Sequence, residues 1–295
     1  MPLWNSAFGL LLVTGLFLGM TPPLGKAAVA GGFSPLFWSF VISAGAGSVL
    51  LAAMLLRGHR IGLRAGKLRY YALAAAISYA IPNLLMFSAV PHLGAGYTGI
   101  MFTLSPVITL LLSILLKVRR PNGLGILGIA IGFIGAVLVA SGRGTAEAPA
   151  DLVWVAVGLL IPVSLAAGNI YRTIDWPKDG GSIELAAGSH LAAALMLLVG
   201  LVATGGLGDA ALIAAHPGLV AAQVAAASTM FVFFFRLQSV GGPVYLSQIG
   251  YVGAAVGLFA GIVFLGESYA ALTWLGAIII ALGVALTTKA QSDAS

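Results

Sequence analysis

Apolar residues run along this chain in blocks of about twenty, broken by short stretches where glycine, proline and charge collect. A helix needs roughly 20 apolar residues to cross the hydrocarbon core of a bilayer. Blocks of that length predict spans near 4–25, 33–56, 70–89, 94–117 and 122–141, then near 151–172, 183–204, 218–237, 243–265 and 270–288. Two neighbouring runs nearly merge at Pro91-His92-Leu93 and again at Gly241-Gly242. The first run follows Met1-Pro2-Leu3-Trp4 without the basic stretch that opens a signal peptide, so a retained helix is expected, although Ala27-Ala28-Val29-Ala30 has the composition of a cleavage site. The expected fold class is an all-α membrane protein of ten transmembrane helices.

Composition agrees. The chain is 60% hydrophobic and 7% charged, with a mean hydropathy of +1.07. A soluble domain carries about 25% charged residues, so lipid must solvate most of this surface. The net charge of +6 would suggest nucleic acid if it were clustered on one soluble face. It lies instead in the short loops between spans, where basic residues mark the cytoplasmic side of a membrane, and no nucleic-acid partner is expected. Cysteine is absent, which rules out disulfides and thiolate metal sites, and the histidines are scattered at 59, 92, 190 and 216. No metal, cofactor or catalytic group is expected.

The basic residues also orient the chain. With the N-terminus in the cytoplasm, twelve fall inside: Arg57, Arg60, Arg64, Lys67, Arg69, Lys117, Arg119, Arg120, Arg172, Lys178, Arg236 and Lys289. Only Lys26 and Arg143 fall outside. Both termini are thus expected in the cytoplasm, in a bacterial inner membrane. A shift of 148 residues pairs Gly94 with Gly242, Tyr97 with Tyr245, Gly128 with Gly276 and Gly135 with Gly283, among ten ungapped identities between 94 and 138. Five spans per half is an odd number, so residues 1–145 and 146–295 are expected to be inverted repeats. The charges fit: the loop with Lys117, Arg119 and Arg120 corresponds to Gly266-Glu267-Ser268, which has no base. Inverted repeats in secondary transporters hold the substrate near the bilayer midplane.

The pattern resembles the drug/metabolite transporter superfamily, in its ten-helix branch with two EamA-type repeats. The first half has Leu104-Ser105-Pro106, but Val118-Arg119 where the family has Gly-Glu; the second has Leu265-Gly266-Glu267, but Ala254 in place of the proline. Both halves keep a glycine-rich last helix, Gly125 to Gly135 and Gly276 to Gly283. Among members it looks closest to bacterial exporters of aromatic and other neutral amino acids. The resemblance implies a cavity lined by the first four helices of each repeat.

No Asp, Glu, Lys or Arg falls near the middle of a span. A neutral or zwitterionic small-molecule cargo is therefore expected, and a cationic-drug/proton antiporter or a sugar-phosphate carrier is not. Pro22-Pro23, Pro82, Pro106 and Pro162 can free backbone groups inside apolar runs. Candidate contacts are Tyr79 and Asn83, which share a face at i, i+4, with Ser105 and Met101 on the fourth span. Ser164, His190, Gln248, Tyr251 and Trp38 complete the set. Serines often only join helices, and His190 reads as a neutral packing residue before a proton carrier. The Gly128/Gly132 pair reads as close helix packing.

The expected function is export of neutral, aromatic amino acids and related metabolites by alternating access. Carriage of other neutral drugs or metabolites is the alternative, and a structural or receptor-like membrane protein lies outside transport. Nothing in the sequence requires more than one copy.

Overall fold

The structure is a computed structural model that describes residues 6–117, 123–147 and 149–292, and their side chains except at 241–245, 247, 287, 288, 291 and 292. Val118, Arg119 and Arg120 therefore lie outside the described residues, and so does the side chain of Tyr245. Helices α1 (Ala7–Ala30), α2 (Pro35–Leu56), α3 (Ala65–Leu93), α4 (Ala95–Leu115) and α5 (Gly123–Gly142) make up the first half. Helices α6 (Leu152–Ile174) and α7 (Ser182–Thr204) follow, then a short 3₁₀ and α-helical turn over Gly206–Ala215. Helical backbone then extends from Pro217 to Leu265, and α10 (Ala271–Ser292) follows.

That 49-residue stretch would reach roughly 73 Å if straight, more than twice the core of a bilayer. Its two ends are nevertheless at one face of the molecule. His216, just before it, has its ring 5.9 Å from that of Phe33. Glu267, just after it, accepts from Lys26 Nζ at 2.5 Å. Lys26 and Phe33 flank the α1–α2 turn, so the stretch must double back. It forms two spans, α8 (Pro217–Val240) and α9 (Gln248–Leu265), folded near the Gly241-Gly242 cut expected from sequence. Among the described residues nine helices are long and apolar enough to span a bilayer, and Ala271–Leu286 in α10 is a shorter apolar helix. This is the all-α membrane protein of about ten helices that the block pattern requires.

Local chemistry sets the ends. Ser6 and Ser34 cap α1 and α2 by accepting from Gly9 N and Phe37 N, and Pro35 occupies the first helical position, where no N–H is needed. A single residue, Gly94, joins α3 to α4. Its φ of +88° is reached at no steric cost only by glycine, and an added Cβ would also meet Glu267.

Two glycine seams bind the halves together. Gly135 on α5 faces Ile280 N on α10 at 2.7 Å from where a Cβ would stand. Gly283 faces Gly132 N in return, so the backbones nearly touch, as the Gly128/Gly132 reading expected. Gly15 and Gly19 of α1 do the same against Val252 and Gly253 of α9. Burial separates centre from rim: 78% of the α4 window is buried against 33% for α5. Phe133, Ile134 and Val137 of α5 and Phe259 and Phe264 of α9 point outward, an apolar belt suited to lipid.

The two ends of the bundle differ in charge. Lys26, Asp209, Glu147 and Glu267 gather around the turns at 31–34, 144–150, 205–216 and 266–270. The opposite end holds the loop with Arg57, Arg60, Arg64, Lys67 and Arg69, which meets Asp175, Asp179 and Glu184 at the α6–α7 connection.

Candidate functional site

Between the halves lies a cavity that encloses about 840 Å³ of empty space, counting the open solvent at its mouth. Helix α3 opens it. Residues Ala76–Ala80 form a π-helical turn, a feature found mostly at functional sites, and Pro82 follows. In that wider turn the Ile77 carbonyl faces position 82, where proline has no N–H to give. Ser164 Oγ of α6 donates to it instead, at 2.8 Å. Ser164 thus joins α6 to α3 beside the cavity and is not itself in the wall. The displaced turn carries Ser78, Tyr79 and Asn83 into the wall, with Tyr79 and Asn83 on one face as their spacing requires.

Helix α4 is broken at Thr103-Leu104, just before Ser105-Pro106. Thr103 Oγ1 donates to Ile100 O at 2.6 Å and steadies the break. Phe102 and Ser105 reach the cavity from its two sides. Thr98, one turn earlier, donates to its own backbone at Gly94 O. Pro82 and Pro106 therefore do interrupt regular helix, whereas α1 and α6 pass through Pro22-Pro23 and Pro162 unbroken.

Aliphatic residues such as Leu18, Ile42 and Ile161 share the rest of the wall with Met86, Met230, Phe231 and Phe234. His190 stands behind it with its ring 4.2 Å from Tyr79 and 3.9 Å from Phe231. Fully buried between two rings, it packs as a neutral side chain would. Trp38 is also fully buried, 5.1 Å from Phe33, and does not line the cavity. Met101 lies in a second core with Leu93 and Tyr97, against Gly158 of α6. Gln248 and Tyr251 are off the wall; Leu246, Ile249 and Gly250 are on it. The side of α9 turned inward is thus opposite the one their spacing suggests.

Several buried polar atoms around the cavity have no protein partner among the described residues. They include Ser78 Oγ, Tyr79 Oη, Asn83 Nδ2 and both amide atoms of Gln223, a side chain that is fully buried. An unmade buried hydrogen bond costs about 1–3 kcal/mol.

Sequence reasoning did not single out Arg172, Asn169, Gln223 or Gln238. Arg172 sits in the last turn of α6, as its sequence position implies, yet it is 2% exposed and lines the cavity. Its Nη2 donates to Asn169 Oδ1 at 2.6 Å and its Nε to Gln238 Oε1 at 3.1 Å. The guanidinium carbon stands 4.9 Å from the centre of the Phe234 ring. The available signal was Asn169 at i−3 of an arginine whose flexible stem carries its head well away from its Cα.

A largely apolar cavity with unpaired polar groups, inside an apolar bundle of about ten helices, fits a membrane transporter of small metabolites. Comparison with known proteins supports this and narrows it. The model of the EamA-like transporter family matches residues 5–141. The uncharacterized inner membrane transporter YedA of Escherichia coli K12 is 27% identical over 299 residues, covering 98% of this chain and 91% of its own. The protein of that name in E. coli O157:H7 matches equally. A crystal structure superposes on 97% of this chain and 98% of its own with a TM-score of 0.62 and 18% identity, which shows a shared fold. The match over residues 5–141 and the likeness to YedA support an EamA-type protein of the drug/metabolite transporter superfamily, and the apolar helices with that likeness support a multi-pass inner-membrane protein.

Proposed function

We propose that this protein exports aromatic and other neutral amino acids, with related small metabolites, across the inner membrane by alternating access. Residues 1–145 and 146–295 act as inverted five-helix repeats that rock about the cavity, with both termini in the cytoplasm. One observation carries the reading. Among the described residues, Tyr79 Oη, Asn83 Nδ2 and the Gln223 amide lie buried and unpaired in a largely apolar wall that includes Phe102, Phe231 and Phe234. Aromatic faces suit a planar apolar body, and the polar atoms suit groups that fix its orientation. The concentration of bases at the Arg60 end supports the orientation.

The test is efflux from proteoliposomes loaded with labelled tryptophan or phenylalanine. Efflux well above that of protein-free liposomes is expected, and Asn83→Ala should slow it about tenfold, the equivalent of one lost hydrogen bond. Efflux equal to protein-free liposomes for every amino acid would overturn the reading. Orientation is tested separately with single cysteines at two exposed loop positions, Arg60→Cys and Ser268→Cys. A membrane-impermeant thiol reagent added to intact cells should label only the second. Labelling of both, or of the first alone, contradicts the topology.

A further inference from the structure

We propose that Arg172 anchors an anion subsite at the Arg60 end of the cavity, so that the preferred cargo is a carboxylate on a ring-bearing apolar body with no ammonium. This rests on reading the cavity as the substrate site, and it departs from the neutral cargo that charge depth along the sequence implies.

The argument begins with an uncompensated charge. A guanidinium has five N–H donors and stays charged. Two donors of Arg172 are used, both by neutral amide oxygens, on Asn169 and Gln238. No acidic residue lines the cavity, and no carboxylate lies within ion-pair distance of Arg172 among the described residues. The carboxylate nearest in sequence, Asp175, is engaged elsewhere: it accepts from Arg69 at 2.5 Å and from Tyr171 at 2.6 Å. A charge that is 2% exposed and unpaired is strongly unfavourable. A bound anion relieves it through charge-assisted, potentially bidentate hydrogen bonds.

The surroundings set the rest of the cargo. Phe234 lies under the guanidinium, and Phe231 is edge-on to Phe234 at 6.1 Å. Both precede Gln238 on α8 by one or two helical turns, roughly 6–10 Å along its axis. A ring two or three bonds from a carboxylate held by Arg172 would lie against them. The second polar end is Gln223, on the same helix and 15 positions before Gln238, hence roughly 22 Å away. Its amide is fully buried and unpaired. An ammonium near Arg172 meets a like charge and no wall carboxylate to offset it. The cavity should therefore rank aryl carboxylate above aryl amino acid, and both above the corresponding neutral amide.

The experiment is equilibrium binding of labelled 3-phenylpropionate to the purified full-length protein, with phenylalanine and 3-phenylpropionamide as competitors. Wild type should prefer the acid to the amide by roughly 10- to 100-fold, the range expected for a charged hydrogen bond. Arg172→Gln should bring acid and amide to equal affinity, with the larger loss falling on the acid. Asn169→Asp serves if Arg172→Gln does not fold, because it places a carboxylate on the guanidinium and should also erase the preference with Arg172 in place. Equal binding of acid and amide to wild type, or a preference that survives both substitutions, overturns the proposal. If labelled phenylalanine is exported without any acid preference, the anion subsite fails and the transport reading stands. If the acid binds as described but no amino acid is exported, the subsite stands and the amino-acid reading fails. If neither compound binds, both fail.

Discussion

Each end of the cavity is tied by one glutamate, and the two ties use the same parts. At the Lys26 end, Glu267 accepts from Lys26 Nζ at 2.5 Å, from Ala95 N at 2.8 Å, from Gly96 N at 3.1 Å and from the Tyr269 hydroxyl. At the Arg60 end, Glu184 accepts from Lys67 Nζ and Gly62 N, both at 2.8 Å, from the Tyr71 hydroxyl at 3.2 Å and from Gly181 N at 3.4 Å. Both join the first half of the chain to the second. They differ in how much each group stands to lose. The Glu267 side chain is 2% exposed, and it caps the free N–H groups that begin α4. Glu184 is 13% exposed, and its lysine is shared with the Asp179 carbonyl at 3.1 Å and the Asp179 carboxylate at 3.4 Å. A tie with spare partners near water can be exchanged; a dry one with none is held until all of it breaks. The Lys26 end is thus the more firmly closed of the two.

The sharpest way to break this comparison is Glu267→Ala. It leaves a lysine, two helix-start amides and a tyrosine unpaired in a buried site, and we predict a loss of roughly 3–5 kcal/mol. Thermal unfolding in detergent reads it, and a melting temperature within a degree of wild type would falsify the assignment. Glu184→Ala should cost less, about 1–3 kcal/mol, since Lys67 keeps Asp179. A larger loss at Glu184 than at Glu267 reverses the ranking and sinks the comparison. Lys26→Met should cost about 1 kcal/mol, because its side chain is 30% exposed and Glu267 retains three donors. The same melts measure it, and an effect equal to Glu267→Ala would mean that the ion pair, not the helix cap, carries the tie.

What the sequence made legible follows from length and side. Every apolar block became a helix at nearly the expected bounds, because block length alone decides spanning, and the Gly128 and Gly276 helices pack as their composition implies. The double-back within Pro217–Leu265 was legible only as a thin spot at Gly241-Gly242. The π-turn at Ala76–Ala80 left no mark beyond Pro82. The inward side of α9 could not be read, since all sides of that helix are apolar, which is how Gln248 and Tyr251 came to be preferred over Ile249 and Gly250. Charge depth along the sequence places Arg172 at its Cα, at the end of α6, whereas its side chain extends from there into the cavity. Glu267 stands in the sequence only as part of a base-free loop and of the Leu265-Gly266-Glu267 motif. It caps α4 and pairs with a lysine 241 positions away, a proximity that only the fold creates.

The smallest expected effect is one of pH, and it isolates the Glu267 tie. Burial pushes the Glu267 carboxyl up, but hydrogen bonds from Lys26, Tyr269, Ala95 N and Gly96 N outweigh it and hold the group below an ordinary glutamate's 4.5. Burial, with the bond to Glu267, pushes the Tyr269 hydroxyl up, so it remains a donor at neutral and mildly alkaline pH. A carboxyl depressed in the folded state adds stability that is complete above its unfolded pKa and lost as pH falls through the folded one. Wild-type melting should therefore lose this contribution only below about pH 4.5, the ordinary value. Glu267→Gln cannot titrate there. It should melt lower at neutral pH and draw closer to wild type as the medium becomes more acidic. Two melting curves that fall in parallel from pH 5 to about pH 3 would show that Glu267 is not held as a carboxylate, and the contrast between the two ends would lose its electrostatic basis.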